Sequence, residues 1–205
     1  MAPARRPPSP DTTARRGYHH GNLREALLDG ARDLVAERGP QGFTLSEAAR
    51  RAGVSPSAPY RHFRDRDEVL AELCRRGFAL FGQRLQAAAA SVAAPAEALH
   101  RMGPAYLAFA REQPGYYAAM FAFRPSRSGE PPDPVRQEPP AILAQAIAAV
   151  LPPGGPDPRL VALQVWALSH GVAMLERAGL PPPGSGAPPA ERVLDSGVAA
   201  LLGRR

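Results

Sequence analysis

Arg61 stands between Tyr60 and His62, with Ser57 and Ala58 just before it and Arg66 shortly after. Together they offer a planar guanidinium, a phenol, an imidazole, a hydroxyl and a methyl group. A guanidinium can hold two acceptors on one flat edge, the way arginine reads the O6 and N7 atoms of guanine. No Ser, His and Asp set with a catalytic spacing can be picked out of the chain. The chemistry on offer is recognition rather than bond making.

The elements that must position these groups are two short helices within residues 44–63. Thr44 can cap the first, and Glu47 can reach back to it in a capping box. Leu45, Ala48, Ala49 and Ala52 give that helix a narrow apolar face. Gly53 falls where a helix ends in a left-handed residue, and Val54 can plug the angle between the two helices. Ser55 as N-cap and Pro56 as first helical residue restart the chain. Pro59 falls in the first turn, where backbone donors are mostly unpaired. Phe63 and Leu70 close the core behind. This is the layout of a helix-turn-helix over 44–63, whose second helix fits the DNA major groove. Ser57, Ala58 and Arg61 then face base edges.

Upstream, Leu23, Ala26, Leu27, Ala31, Leu34 and Val35 recur at helical spacing over 22–38, and Gly39, Pro40 and Gly42 end the pattern. Downstream, Asp65 or Asp67 can cap a longer helix with Val69, Leu70, Leu73, Phe78, Phe81 and Leu85 on one side. With Phe43-Thr44, Ala48-Ala49, Ala52-Gly53-Val54-Ser55, Tyr60-Arg61-His62-Phe63 and the Asp-Arg-Asp-Glu-Val-Leu run at 65–70, residues 20–81 resemble the DNA-binding domain of the TetR family of bacterial repressors. The resemblance implies that Tyr60, His62 and Arg66 hold phosphates, with Thr44 and Ser46 from the helix before. The chain departs from the family at Pro59, where a larger apolar residue is common, and its fixed ring bears on the angle at which the helix enters the groove.

Composition fits a polyanionic partner. The 205 residues suffice for one small DNA-binding domain and one larger helical domain. The net charge is +6 and the pI near 10.4. All 25 basic residues are arginine, so lysine Schiff-base chemistry and the phosphate-loop lysine are excluded. Residues 1–16 hold four arginines against one aspartate and no apolar run. Residues 1–19 therefore read as a disordered basic arm, neither signal peptide nor anchor, that follows phosphates, enters a minor groove or stays solvated. Cys74 is the sole cysteine, which rules out an internal disulfide and points to the cytoplasm. The most apolar stretch, 160–175, is broken by Gln164, Ser169 and His170, so no membrane span is expected. His19-His20 have no partners at metal spacing, and neither metal nor cofactor is expected.

Prolines divide the second half into expected helices at 65–91, 96–112, 115–122, 140–150, 158–178 and 189–202. Pro, Gly and Ser mark loops at 124–139 and 180–189, leaving Pro59 and Pro104 as the prolines inside helices. Strand-like alternation is absent, so the fold is all-α. Residues 82–205 are expected to form the larger helical domain, to which the resemblance assigns ligand-binding and dimerisation roles.

Two features carry function there. Tyr106, Phe109, Tyr116, Tyr117, Met120, Phe121 and Phe123 are concentrated in a chain with 6% aromatic residues. A helical aromatic stripe can be plain core. Mainly apolar surroundings with a few polar groups also suit a small ligand, and the expected pocket comprises Tyr106, Phe109, Tyr117, Met120, Phe121, Trp166, His170 and Met174. The short Pro114-Gly115-Tyr116-Tyr117 helix resembles the family element that couples such a pocket to the DNA-binding domain. The 158–178 helix is apolar almost all round and is expected to be buried on more than one face. Its Trp166, His170 and Gly171 resemble the Trp…His-Gly signature of one TetR C-terminal subgroup. The resemblance implies one face toward the pocket and another packed with Leu194, Val198, Leu201 and Leu202 against a second subunit, where Gly171 permits close contact.

The expected function is that of a homodimeric repressor on a palindromic duplex operator, not an enzyme. A small hydrophobic or aromatic effector releases it by tilting the 65–91 helix. A reading of another class is a basic helical protein that binds DNA or acidic surfaces without sequence choice and has no effector. Salt dependence is common to both, whereas a sharp preference for one palindrome separates them.

Overall fold

The computed structural model describes residues 23–122, 134–182 and 184–203. The arm at 1–19, His19-His20, Phe123 and most of the 124–139 loop lie outside the described residues. Those residues form eight α-helices and one 3-10 turn, with no strand among them. They are α1 (Leu23–Arg38), α2 (Leu45–Arg51), the 3-10 turn (Ala58–Arg61), α3 (Arg66–Ala90), α4 (Pro95–Glu112), α5 (Pro114–Ala122), α6 (Pro134–Ala148), α7 (Pro158–Arg177) and α8 (Ala190–Leu201).

Two hydrophobic cores organise these helices, and α3 belongs to both. Val69, Leu70 and Leu73 join Leu27, Leu28, Leu34, Phe43, Leu45 and Phe63 in the first core. Cys74, Phe78, Phe81 and Leu85 join α4, α6, α7 and α8 in the second. At 25 residues, α3 is about 37 Å long and runs through both bodies. Its start is fixed by Asp65, whose carboxylate accepts from the Glu68 N–H at 2.8 Å. Arg76 on α3 pairs with Glu25 on α1 and with Glu72 one turn back, the latter at 2.8 Å. The Arg75 guanidinium, with Arg76 beside it, holds the Glu72 carboxyl down to about 2.

α5 is the other element shared by the cores. Ala119 is fully buried in the first, while Tyr117 and Met120 are buried in the second. Its second residue, Gly115, lies so close to α1 that a Cβ there would stand 2.3 Å from the Arg32 carbonyl oxygen. Only glycine permits that approach. Arg32 in turn stacks over the Tyr116 ring, 5.7 Å from its centroid.

The prolines correct the expected boundaries. α6 was expected at 140–150 but starts at Pro134, with Pro139 and Pro140 inside it. Each proline removes one helical donor, a cost packing outweighs here. Pro139 is buried, and Glu138 accepts from the Gln86 amide of α3 at 3.1 Å. Pro104 does lie within α4, and it leaves the His100 carbonyl without its helical donor.

Candidate functional site

The turn after α2 is built by its own sequence. Thr44 accepts from the Glu47 N–H at 3.2 Å, and Glu47 accepts from the Thr44 N–H at 2.9 Å, the reciprocal capping box. At the far end Gly53 has φ 72°. Its N–H donates to Arg50 and the Val54 N–H donates to Ala49, which is the Schellman pattern. Val54 packs on the first core at the angle between the elements.

The element beyond Val54 is shorter than the expected helix over 55–63. Only Ala58–Arg61 form a turn, and it is 3-10 rather than α. Pro59 has no N–H for the Ser55 carbonyl, so Ala58 donates to it one residue earlier, at 3.0 Å. Ser55 is therefore not the side-chain N-cap, and its hydroxyl meets that of Ser57 at 3.3 Å. Pro59 is buried beneath the turn. Ser57, Tyr60, Arg61 and His62 are exposed, Tyr60 at 61%. Ala58, Ser46 and Arg66 are half-buried alongside.

Electrostatics set Arg61 apart, together with the exposed Arg50 of α2. The other arginines nearby are matched: Arg38 to Glu47 at 2.9 Å, Arg51 to Glu37 at 2.5 Å and Arg64 to Glu68 at 3.2 Å. Arg66 lies 3.5 Å from Asp67. Among the described residues Arg61 has no ion pair, and its guanidinium is free at the surface. The exposed Thr44 hydroxyl donates to Glu47 at 3.0 Å while it accepts from the same residue's N–H, so the cap uses it.

In the second core the structure draws together seven of the eight expected pocket residues, as packed aromatic core. Tyr106 and Tyr117 bring their hydroxyls to 3.3 Å, and the Tyr117 hydroxyl lies 2.8 Å from His170 Nδ1. Phe121 tilts against His170 at 4.3 Å and Phe81 meets Phe109 at 5.1 Å. Met120 is buried against Gly77. Burial pushes the Tyr106 and Tyr117 phenols up and the His170 imidazole down, so all three stay neutral at pH 7. Met174 is the exception. It is 47% exposed, because it lies on the outer face of α7 while Val172 and Ala173 point inward.

The open space lies beside this cluster. A cavity of about 130 Å³ sits between α3, α4, α7 and α8, with only Tyr106 and Trp166 of the expected set on its wall. Leu85, Leu99, Gly103, Val165 and Leu194 are among the other lining residues, as are His100 and Asp195. Sequence reasoning missed them because it followed aromatics; the small Gly103 and the apolar stripe of α8 were the available signals. Trp166 also walls a second, more open groove of about 430 Å³ between α6 and α7, which includes Arg159.

One expectation for the last helices needs correction. Leu194 is only 1% exposed and packs at Gly103, so it faces its own chain, while Val198, Leu201 and Leu202 pack on the same core but remain half-buried. Within this chain α7 is buried along one face. Leu160, Leu163, Met174 and Leu175 are exposed along one side, with Leu163 at 66%. A Cβ on Gly171, in the middle of that side, would meet nothing within 4 Å.

Comparison with known proteins agrees with this architecture. Residues 27–73 match the description "Bacterial regulatory proteins, tetR family", and residues 99–201 match "Tetracyclin repressor-like, C-terminal domain". An uncharacterized HTH-type transcriptional regulator of Mycobacterium tuberculosis is 30% identical over 133 residues, 65% of this chain and 63% of its own length. The match thus spans less than two thirds of that curated relative. Among solved structures, a protein of unknown function from Rhodococcus sp. RHA1 is 28% identical with a TM-score of 0.73, over 91% of this chain and 97% of that one. The regulator FadR from Bacillus subtilis, solved with stearoyl-CoA, shares the fold alone at 17% identity and a TM-score of 0.66, over 87% and 97% of the two chains. With one family description on each core, the second spanning half of the sequence, the chain belongs to the tetR family of bacterial regulatory proteins.

Proposed function

We propose that the protein is a sequence-specific transcriptional repressor of the bacterial cytoplasm, binding a palindromic operator as a dimer and leaving it when a small molecule enters the helical domain. The observation that carries this reading is the unpaired, exposed Arg61 on a turn held rigid by a capping box, a Schellman motif and a buried proline. A free guanidinium on a fixed turn suits a bidentate guanine contact. Ser57 and Ala58 lie beside it for neighbouring base edges. Tyr60, His62, Arg66 and Ser46 surround it for phosphates.

The exposed stripe of Leu160, Leu163, Met174 and Leu175 is the proposed dimer face on α7, with Val193 contributing from α8. Large apolar groups at regular helical spacing on a surface mark an interface. A dimer also supplies the paired reading heads that an inverted repeat requires. α5 carries the signal, since a shift of Tyr117 and Met120 in the second core moves Ala119 in the first. The ligand only has to bind the conformation that does not fit DNA more tightly than the one that does.

The test is selection of random duplexes on the purified protein, followed by affinity for the enriched site at fixed salt. Enrichment of an inverted repeat supports the proposal. Equal binding to all duplexes, collapsing together as salt rises, refutes it.

A further inference from the structure

The lining of the small cavity goes further than the presence of an effector. We propose that the cavity between α3, α4, α7 and α8 takes a compact apolar amine, its hydrocarbon body against Tyr106 and Trp166 and its ammonium at Asp195. This deepens the effector reading above and rests on it.

Volume sets the size of the body. About 130 Å³ is close to the space that holds one benzene ring in an engineered apolar cavity. The walls are Leu, Val, Tyr and Trp side chains, which favour a ring or a short branched chain over a polar body.

Charge sets the head group. Asp195 is 41% exposed and lines the cavity, where its carboxylate meets His100 Nδ1 at 3.4 Å. That is longer than a charge-assisted bond, and it is the carboxylate's polar contact among the described residues. A primary ammonium brings three donors to this place. A carboxylate ligand would instead meet a like charge. Among the described residues no arginine lines this cavity, so an anion would find no guanidinium there to pair with. The groove on the other side of Trp166 differs, for Arg159 lies on it.

Trp166 is the only tryptophan, so its fluorescence reports on this wall directly. Benzylamine, benzyl alcohol and benzoate share one ring and differ in charge, and each is titrated into the full-length protein. The expected result is saturable quenching by benzylamine at least tenfold tighter than by benzyl alcohol, with benzoate weakest. Asp195→Asn is expected to erase the advantage of the amine and leave benzyl alcohol unchanged. Gly103→Leu and, from the facing helix, Ala199→Leu fill the cavity, and each should abolish benzylamine quenching while circular dichroism stays native.

Benzoate binding as tightly as benzylamine overturns the assignment, as does an amine advantage that survives Asp195→Asn. Quenching by benzylamine that survives both filling variants overturns it too, since that places the amine in the groove. Benzylamine is also added to the protein–operator complex. Asp195-dependent binding without release of DNA leaves the ligand class standing and refutes the effector reading.

Discussion

Replacing Gly115 with alanine tests the idea that α5 joins the two cores through direct backbone contact with α1. The added Cβ would stand 2.3 Å from the Arg32 carbonyl oxygen and 2.7 Å from Arg32 Cγ. Ordinary contact begins near 3.4 Å, so the two helices must separate by about 1 Å. A rotamer change can move Cγ but not the carbonyl. Overpacking of this kind costs about 1–3 kcal/mol. The opposing gain from alanine's helix propensity is at most about 1 kcal/mol, and less in a first turn. The clash wins, with a net loss of roughly 1–2 kcal/mol and a melting temperature lower by about 2–8 °C for a chain of this size. Because α1 belongs to the core behind the turn, operator affinity should fall severalfold in the same variant. Thermal unfolding and operator titration are the assays. Adding Arg32→Ala should restore only part of the loss, since the carbonyl remains. A melting temperature that is unchanged or raised in the single variant, or fully restored in the double one, would refute the reasoning.

Arg61→Ala should cost about 1–3 kcal/mol of operator binding and relax the preference at one base pair. Affinities across single-base operator variants check this, and a uniform loss at every position counts against a base contact. Leu163→Glu and Met174→Glu should leave the fold intact, as both side chains are already exposed, yet yield monomers in sedimentation velocity. A stable dimer in either variant removes α7 from the interface. Glu72 is held down to about 2 in the folded protein, so its ionisation adds stability above about pH 4.5 that is lost as pH falls toward 2. Glu72→Gln should flatten the acid limb of a stability–pH curve over that window, and an unchanged limb shows that the pair with Arg75 and Arg76 contributes little.

Much of the DNA-binding half was legible because its signals are local. Thr44 with Glu47, Gly53 and Asp65 each declare a helix end through their own chemistry, and each is found in that role. The turn at 55–63 was less legible, because two prolines three residues apart decide between α and 3-10 geometry by small differences in donor supply. The helical domain was harder. Aromatics announced a cluster correctly, but where a cavity opens depends on small residues such as Gly103 facing a helix almost a hundred positions later. Met174 and Leu194 were assigned to the wrong sides for a related reason. An almost wholly apolar α7 gives no polar stripe to mark its outer face, whereas the pattern of α8 placed Leu194 inward once its partner was known. Pro139 and Pro140 misled because tertiary packing on α3 overrides a local breaker.

Ala119 completes the first core although it comes some eighty positions after α1. The reading head is therefore unfinished when residues 23–73 leave the ribosome, because the floor on which α1 and α3 rest has yet to be made. The DNA-binding half is thus closed only when α5 docks, by which point more than half of the sequence has been synthesised.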